Sequence, residues 1–130
     1  AFVRRFVTAA RENKPEEVLW GTGTPLREFL HVDDVANAVY YFMQTHNEPE
    51  VINIGYGSDI TIRELAEQIA AAAGFKGAIQ WDASKPDGMY RKLMDSSRAH
   101  ALGWKPEISL DEGIAKTVAE YRGHLGGMRR

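Results

Sequence analysis

The sequence predicts an α/β fold, in which helices alternate with short β-strands. Apolar residues recur at helical spacing in several segments, and short apolar runs that end in glycine-containing turns separate those segments. Two Ser/Thr-x-x-Glu patterns mark helix starts as capping boxes. Only about four short strands can be found, whereas a doubly wound nucleotide-binding sheet usually has five or six. We therefore expect the back part of a larger α/β protein.

Composition limits the partners of the chain. The 130 residues are 44% hydrophobic and 26% charged, as in one ordinary soluble domain. The net charge of −2 provides no global basic field, so neither nucleic acid nor an anionic membrane is expected as a partner. The absence of cysteine removes disulfides, thiolate metal sites and a cysteine nucleophile, and it suits a reducing cytoplasmic compartment. No apolar run approaches the roughly 20 residues that span a bilayer.

The first segment is predicted to be a helix because its apolar residues recur at helical spacing: Phe2, Val3, Phe6, Val7 and Ala10. It should end near Asn13, since Pro15 disfavours the helical conformation at the residue before it. The chain enters this pattern directly at Ala1, and no apolar signal segment follows. We therefore expect a truncated chain.

A hairpin is predicted after this helix. Residues 18–20 (VLW) form a short strand, residues 21–25 (GTGTP) have the composition of a turn, and residues 29–32 form a second extended run. A helix follows, with Asp33 or Asp34 as its cap. Its apolar face comprises Val35, Val39, Phe42 and Met43, and Asn47 and Pro49 end it.

The second half continues the alternation. Residues 51–54 (VINI) are predicted to be a buried strand, and the Thr61–Glu64 capping box starts a helix that Gly74 closes. Residues 78–81 are a further strand, residues 82–91 a loop and residues 97–102 a short helix. A second capping box, Ser109–Glu112, starts the last helix, and Gly126 begins a frayed tail.

Several patterns that invite a catalytic interpretation have simpler ones. The pairs Gly21–Gly23 and Gly55–Gly57 lack the third glycine of a dinucleotide fingerprint, so both are interpreted as turns. The four histidines show no metal-ligand spacing, and His31, in the apolar run FLHV, is interpreted as a structural histidine. No Tyr is followed four residues later by Lys. No residue is assigned a catalytic or metal-binding role.

A set of cations and one aromatic residue beside turns supplies the candidate binding residues: Arg5, Trp20, Arg27, Lys85 and Arg91. Arginine presents a planar fork to phosphate, lysine adds a point charge, and indole offers a flat face to a purine or a sugar. Together they could hold a diphosphate-linked nucleotide. Ordinary solvated surface charge is the alternative, and Trp20 by itself would more often be a core residue than a platform for a ligand.

Longer motifs give the sequence a family resemblance. Residues 27–36 (REFLHVDDVA), 53–57 (NIGYG) and 61–65 (TIREL) resemble the extended short-chain dehydrogenase/reductase superfamily, in its NAD-dependent epimerase/dehydratase branch. Residues 82–95 (DASKPDGMYRKLMD), 102–104 (LGW) and 107–110 (EISL) are similar to members that act on GDP-sugars. The similarity covers essentially the whole chain in colinear order.

The resemblance implies a Rossmann-type NAD(P)-binding fold plus a smaller substrate-binding domain, of which residues 1–130 are the C-terminal portion. It implies an NADP-dependent enzyme that epimerises C3 and C5 of a GDP-linked 4-keto sugar and then delivers hydride to C4. In the family the glycine-rich loop, the Ser and Tyr-x-x-x-Lys group, and the Cys and His of epimerisation lie upstream, so NADP is expected to bind a missing N-terminal part. Arg5, Trp20, Arg27, Lys85 and Arg91 match substrate-contacting positions.

The resemblance also sets expectations for assembly. Residues 29–57 are expected to pack on the absent Rossmann domain, so the chain alone should be marginally stable or should associate. The full-length enzyme is expected to be a cytoplasmic homodimer. Two alternatives stay open: another nucleotide-sugar epimerase, reductase or dehydratase of the superfamily, and a non-catalytic module that binds nucleotide sugars.

Overall fold

A computed structural model describes residues 1–127 and confirms the α/β class. The helices and strands follow in the order α1 (Phe2–Arg11), β1 (Glu16–Trp20), β2 (Leu26–Arg27), α2 (Val32–Thr45), β3 (Ile60–Thr61), α3 (Ile62–Ala72), β4 (Ala78–Asp82), β5 (Arg91–Lys92), α4 (Ser97–Ala101) and α5 (Leu110–Gly127). Within residues 1–127, no helix is both long and apolar enough to cross a membrane.

The strands form two small sheets, and the predicted hairpin is wrong. β1 pairs in parallel with β4, in a register that sets Glu16 opposite Ala78 and Trp20 opposite Asp82. β2 belongs to the other sheet, where it lies antiparallel to β3 and parallel to β5. The turn at residues 21–25 therefore carries the chain from one sheet to the other. The second extended run is also displaced, since the strand is Leu26–Arg27 and residues 29–31 have no regular structure.

The main core lies between the parallel strands and three helices. α1, α3 and α5 pack on one another, and the ring centroids of Phe6 and Phe75 are 5.5 Å apart. The buried members of this cluster are Phe6, Val7, Ala9, Leu19, Leu65, Ala66, Ile69, Ala70, Ala73, Phe75, Ile114 and Val118. The members that lie on α1, α3 and α5 have the helical spacing that predicted these three helices.

A second, smaller cluster joins α2 to α4. Its buried members are Ala38, Ala99 and Trp104, and Leu30, Tyr41, Phe42, Ile52 and Ile54 pack against them. The predicted strand at residues 51–54 is wrong, because no strand within residues 1–127 runs beside it. Hydrogen bonds of side chains hold this segment instead. The Arg98 side chain donates to the Val51 carbonyl at 2.9 Å, and the Asn53 side chain donates to the Asp95 carbonyl at 3.3 Å.

The start of α2 corrects the predicted cap. His31 is the N-cap, and its Nδ1 accepts a hydrogen bond from the Asp33 amide at 3.1 Å. Asp33 and Asp34 lie inside the first turn. The Asp34 side chain instead accepts from the amides of Glu107 at 3.1 Å and Ile108 at 3.0 Å, and it is almost completely buried, with 1% exposure. Asp34 therefore ties the start of α2 to the segment that leads into α5.

The other helix ends agree better with the sequence. The Thr61–Glu64 capping box is complete, and Ser109 accepts from the Glu112 amide at 3.2 Å. The short helix after residue 96 and the strand from residue 78 are both present. α5 continues through Gly126 and Gly127, so the predicted tail begins too early, and residues 128–130 lie outside the described residues.

The bonds of Asp34 predict an asymmetry between two adjacent carboxylates. Asp34→Ala leaves two amide donors without their acceptor and should lower the free energy of unfolding by about 2–3 kcal/mol. Asp33→Ala, whose side chain is mostly exposed, should cost less than about 1 kcal/mol through the helix dipole. Urea unfolding of both variants measures the difference. Equal losses would contradict the assigned role of Asp34.

Candidate functional site

Two loops that leave the same end of the β1–β4 pair are joined by a pair of side-chain contacts. Asp87 Oδ1 accepts from the Thr22 amide at 2.6 Å, and Asp87 Oδ2 accepts from the Thr22 hydroxyl at 2.7 Å. We call this contact the Thr22–Asp87 clasp. These hydrogen bonds, the amide bond first, hold the pKa of Asp87 below its usual range. The turn at residues 21–25 and the segment of residues 83–90 thus form one surface.

Gly21 is required by the clasp. Its φ of +91° is in the left-handed region that favours glycine, and a Cβ at this position would lie 2.4 Å from Asp87 Oδ1. The Gly21 amide donates to the Asp82 carbonyl at 2.9 Å, which extends the β1–β4 pairing by one bond. A larger residue at position 21 would displace the Asp87 carboxylate and so disturb the clasp.

Trp20 and Lys85 meet on this surface. The Trp20 side chain follows β1 and is 71% exposed, which excludes the alternative of a core position. Lys85 Nζ lies 5.3 Å from the centroid of the indole ring, within cation–π range. The Ser84 hydroxyl and the Ser84 amide donate hydrogen bonds to the Asp82 carboxylate, and these bonds lower the pKa of Asp82. They also fix the start of the loop that carries Lys85. An aromatic face beside a cation can stack a base or a sugar and still meet a phosphate.

The side chain of Arg27, on β2, is held by two hydrogen bonds to backbone carbonyls. Its Nη1 donates to the Leu26 carbonyl at 2.7 Å and its Nη2 donates to the Met89 carbonyl at 2.6 Å. These bonds leave further guanidinium N–H groups for an anion, since arginine has five donors. They also link Arg27 to the segment that carries Lys85 and leads into β5. The guanidinium is therefore already oriented before any ligand arrives.

The structure separates Arg91 from its neighbour Lys92. Arg91 forms a two-bond ion pair with Asp59, with Nε–Oδ2 at 2.6 Å and Nη2–Oδ1 at 3.4 Å, and this pair raises its pKa. Lys92 is exposed, pairs in register with Arg27 and forms no ion pair within residues 1–127. Register partners share a face of a sheet, so Lys92 and Arg27 lie side by side. The sequence analysis missed Lys92, and the alternation of side chains along a strand is the signal that could have found it once β5 was recognised.

Arg5 occupies a different place. Its Nε forms an ion pair with Glu17 at 2.5 Å, and its Nη2 donates to the Val18 carbonyl. These bonds tie α1 to β1 two residues before Trp20. The structure brings Trp20 and Lys85 together and bonds Arg27 to Met89 in the segment that carries Lys85, whereas the two side-chain bonds of Arg5 both go to β1.

The two glycine pairs are both turns, and in each an internal carboxylate occupies the amide donors. Thr22, within the first turn, donates to Asp87. In the second turn, Tyr56 and Gly57 donate to Glu28 Oε2 at 3.0 and 3.3 Å. Neither turn directly opens a helix, so both differ from the glycine-rich turn that holds the pyrophosphate of a dinucleotide at a helix start.

A separate apolar cavity of about 410 Å³ lies between α1, α3, α5 and the segment before α2. Among the described residues that line it, most side chains are hydrocarbon, as in Phe2, Phe29, Leu65 and Ile114, His31 is the one with a titratable group, and none is a lysine or an arginine. A phosphate would lose its hydration there without gaining a permanent cation from a side chain. The clasped loops are therefore the better candidate for an anionic ligand.

The chain is similar in sequence and in fold to known proteins. Residues 1–55 match the NAD dependent epimerase/dehydratase family. The GDP-mannoheptose C4 reductase MlghC from Campylobacter jejuni, solved with NADP bound, superposes with a TM-score of 0.83 at 34% identity, over 93% of this chain and 43% of that one. The α/β fold of this chain is therefore similar to that of part of this NADP-bound reductase.

Among such proteins, the chain is similar to GDP-L-fucose synthases. It is 52% identical over 121 residues to probable GDP-L-fucose synthase 1 of Oryza sativa subsp. japonica, covering 93% of this chain and 37% of that protein. It is 51% identical over 126 residues to the GDP-L-fucose synthase of Escherichia coli K12, covering 90% of this chain and 39% of that protein. The chain therefore spans less than half the length of these relatives, and the resemblance predicted from the motifs is confirmed.

The clasp predicts a defined effect on Trp20. Asp87→Asn removes the charge and one acceptor oxygen, so the segment that carries Lys85 should loosen and the indole N–H resonance of Trp20 should shift. The resonance of the buried Trp104 should stay in place.

Because the pKa of Asp87 is lowered, the wild-type clasp should persist at mildly acidic pH and open only as the pH falls through that lowered pKa. Heteronuclear NMR across a pH titration measures both effects.

Asp111→Asn, an exposed carboxylate in the first turn of α5, is the matched control and should leave the Trp20 resonance unchanged. An Asp87→Asn spectrum with Trp20 at its wild-type position would show that the clasp does not hold the loop.

Proposed function

We propose that this chain binds the nucleotide portion of a GDP-linked sugar and forms the substrate-binding part of a GDP-L-fucose synthase. That enzyme would convert GDP-4-keto-6-deoxy-D-mannose by epimerising C3 and C5 and reducing C4 with NADPH. The observation that carries the proposal is the exposed indole of Trp20 beside Lys85 on the clasped loops, with Arg27 of β2 bonded to Met89 in one of those loops. The high identity to proteins named GDP-L-fucose synthase supports the choice of sugar nucleotide.

The electrostatics of the clasped loops favour a diphosphate. The chain has a net charge of −2, so a ligand with two phosphate charges needs cations gathered locally. Arg27 is held by two carbonyls and keeps free donors, and Lys85 can exchange its contact with the indole for one with phosphate. The exposed indole would then stack the guanine or the sugar. Arg5 and Arg91 remain proposed contacts with weaker support, because each already holds a carboxylate.

We assign the remaining functions to the part of such an enzyme that this chain does not cover. NADP would bind there, and the acid–base residues would be supplied there. Exposed apolar side chains on α2 and just after it support packing of residues 29–57 against that part: Val32, Val35, Val39, Tyr40, Met43 and Val51. A cytoplasmic homodimer is the proposed form of the full-length enzyme.

Calorimetric titration of GDP, UDP and NADP⁺ into the chain tests the proposal. GDP should bind and UDP should bind more weakly. NADPH oxidation with the 4-keto substrate should appear only after an N-terminal portion from a GDP-L-fucose synthase is added. Binding of NADP⁺ to the chain alone, or equal binding of GDP and UDP, would contradict the assignment.

Arg27→Ala should weaken GDP binding by about 1.5–3 kcal/mol, because it removes charge-assisted hydrogen bonds to phosphate. Arg4→Ala is the matched control, since Arg4 is an exposed arginine on α1 and its loss changes the net charge equally. Calorimetry on both variants checks this. A loss of the same size in the two variants would mean that only the overall charge matters.

Lys92→Ala should weaken GDP binding more than Arg91→Ala does, since Lys92 lies beside Arg27 while Arg91 is engaged by Asp59. Parallel titrations at low and high salt measure the two losses, and the effect of Lys92→Ala should shrink as salt screens it. The reverse order would assign the phosphate contact to Arg91.

A further inference from the structure

Glu28, the residue after Arg27, gathers three backbone amides from two distant segments. Its Oε2 accepts from Tyr56 at 3.0 Å and Gly57 at 3.3 Å, and its Oε1 accepts from Met94 at 2.9 Å. A Cβ at Gly55 would lie 2.7 Å from Oε2, so the turn leaves room for the carboxylate only because residue 55 is glycine. The turn is therefore built around the Glu28 carboxylate.

These bonds act on β5 from one end while Arg27 acts on it from the other. Arg27 holds the Met89 carbonyl before β5, and Glu28 holds the Met94 amide after it. β5 has only two residues, so the strand pairing itself contributes few hydrogen bonds. The side-chain contacts at its ends consequently fix where β5 lies along β2.

The oxygens of Glu28 are occupied within the chain. Three backbone amides donate to the two oxygens, so both are turned toward the segments of residues 56–57 and 94. Its bonds indicate that Glu28 acts through the segments it holds and not by contact.

We propose that Glu28 is a positioning residue for nucleotide binding, holding β5 against β2 so that Lys92 and Arg27 meet the diphosphate together. This inference rests on the proposed binding of a GDP-sugar. It assigns to Glu28 an effect on affinity that passes through the alignment of Lys92.

Glu28→Gln tests the role, because glutamine keeps the length of the side chain while one acceptor oxygen becomes an amide donor. Affinity for GDP, measured by calorimetry, should fall by about tenfold. Lys92→Ala should then cost little more when it is made in the Glu28→Gln background, since the lysine is already misaligned. Glu67→Gln, an exposed position on α3, is the matched control and should leave the affinity unchanged.

The outcomes are distinct. A wild-type chain that binds no GDP overturns the proposed function and this role with it. Wild-type binding with an unchanged Glu28→Gln affinity, or full additivity with Lys92→Ala, overturns the positioning role alone. Where thermal unfolding shows that Glu28→Gln is unfolded, Gly55→Ala displaces the same carboxylate through one methyl group. It should give the same loss and the same non-additivity, and wild-type affinity in a folded Gly55→Ala variant would overturn the role.

Discussion

The parallel pairing of β1 with β4 determines where the candidate site can be. Two parallel strands end at the same edge, so the turn after Trp20 and the loop after Asp82 must leave side by side. That geometry allows Thr22 to reach Asp87, 65 residues away along the chain. Ligands of open α/β sheets bind at this edge for the same reason. An antiparallel pairing would have put Trp20 and Lys85 at opposite ends of the strands.

Two carboxylates, the buried Asp34 and the half-buried Glu28, join segments that the two apolar clusters do not hold together. The main core and the smaller cluster around Trp104 are separate, Asp34 joins α2 to the segment that leads into α5, and Glu28 joins the end of β2 to the segments of residues 56–57 and 94. Each carboxylate accepts only backbone amides, so each fixes the path of the chain as well as its stability. Glu28 also affects the site, because the two ends of β5 are held by the side chains of Arg27 in β2 and of Glu28 directly after it.

The sequence predicted what local chemistry controls. Helical periodicity and the Thr61–Glu64 capping box located α3, and apolar spacing located α1 and α5, because their signals lie within a few residues. Strand partners were not predictable, since β1 and β4 are about 60 residues apart and adjacent strands usually suggest a hairpin. The N-cap of α2 was predicted wrongly, because the capping role expected of Asp33 or Asp34 belongs to the ring nitrogen of His31.

The same distinction explains the candidate site. Residue type alone identified Trp20, Arg27 and Lys85, which are cations or aromatics beside turns. Register was needed to separate Arg91 from Lys92, because adjacent strand residues face opposite ways and only the pairing of β2 with β5 says which one lies beside Arg27. Glu28 gave no sequence signal beyond its place in the motif, since its three partners come from segments 28 or more residues away.

The carboxylates and the cations of this region differ in how their hydrogen-bonding groups are used. Asp82 and Asp87 accept from Ser84 and Thr22, Glu28 accepts from backbone amides, and Asp59 is paired with Arg91. Arg27 is bonded to two backbone carbonyls, and Lys85 lies against the uncharged ring of Trp20. The acceptor oxygens are therefore turned toward donors of the protein, whereas Arg27 and Lys85 keep N–H donors for an anionic ligand in a chain whose net charge is −2.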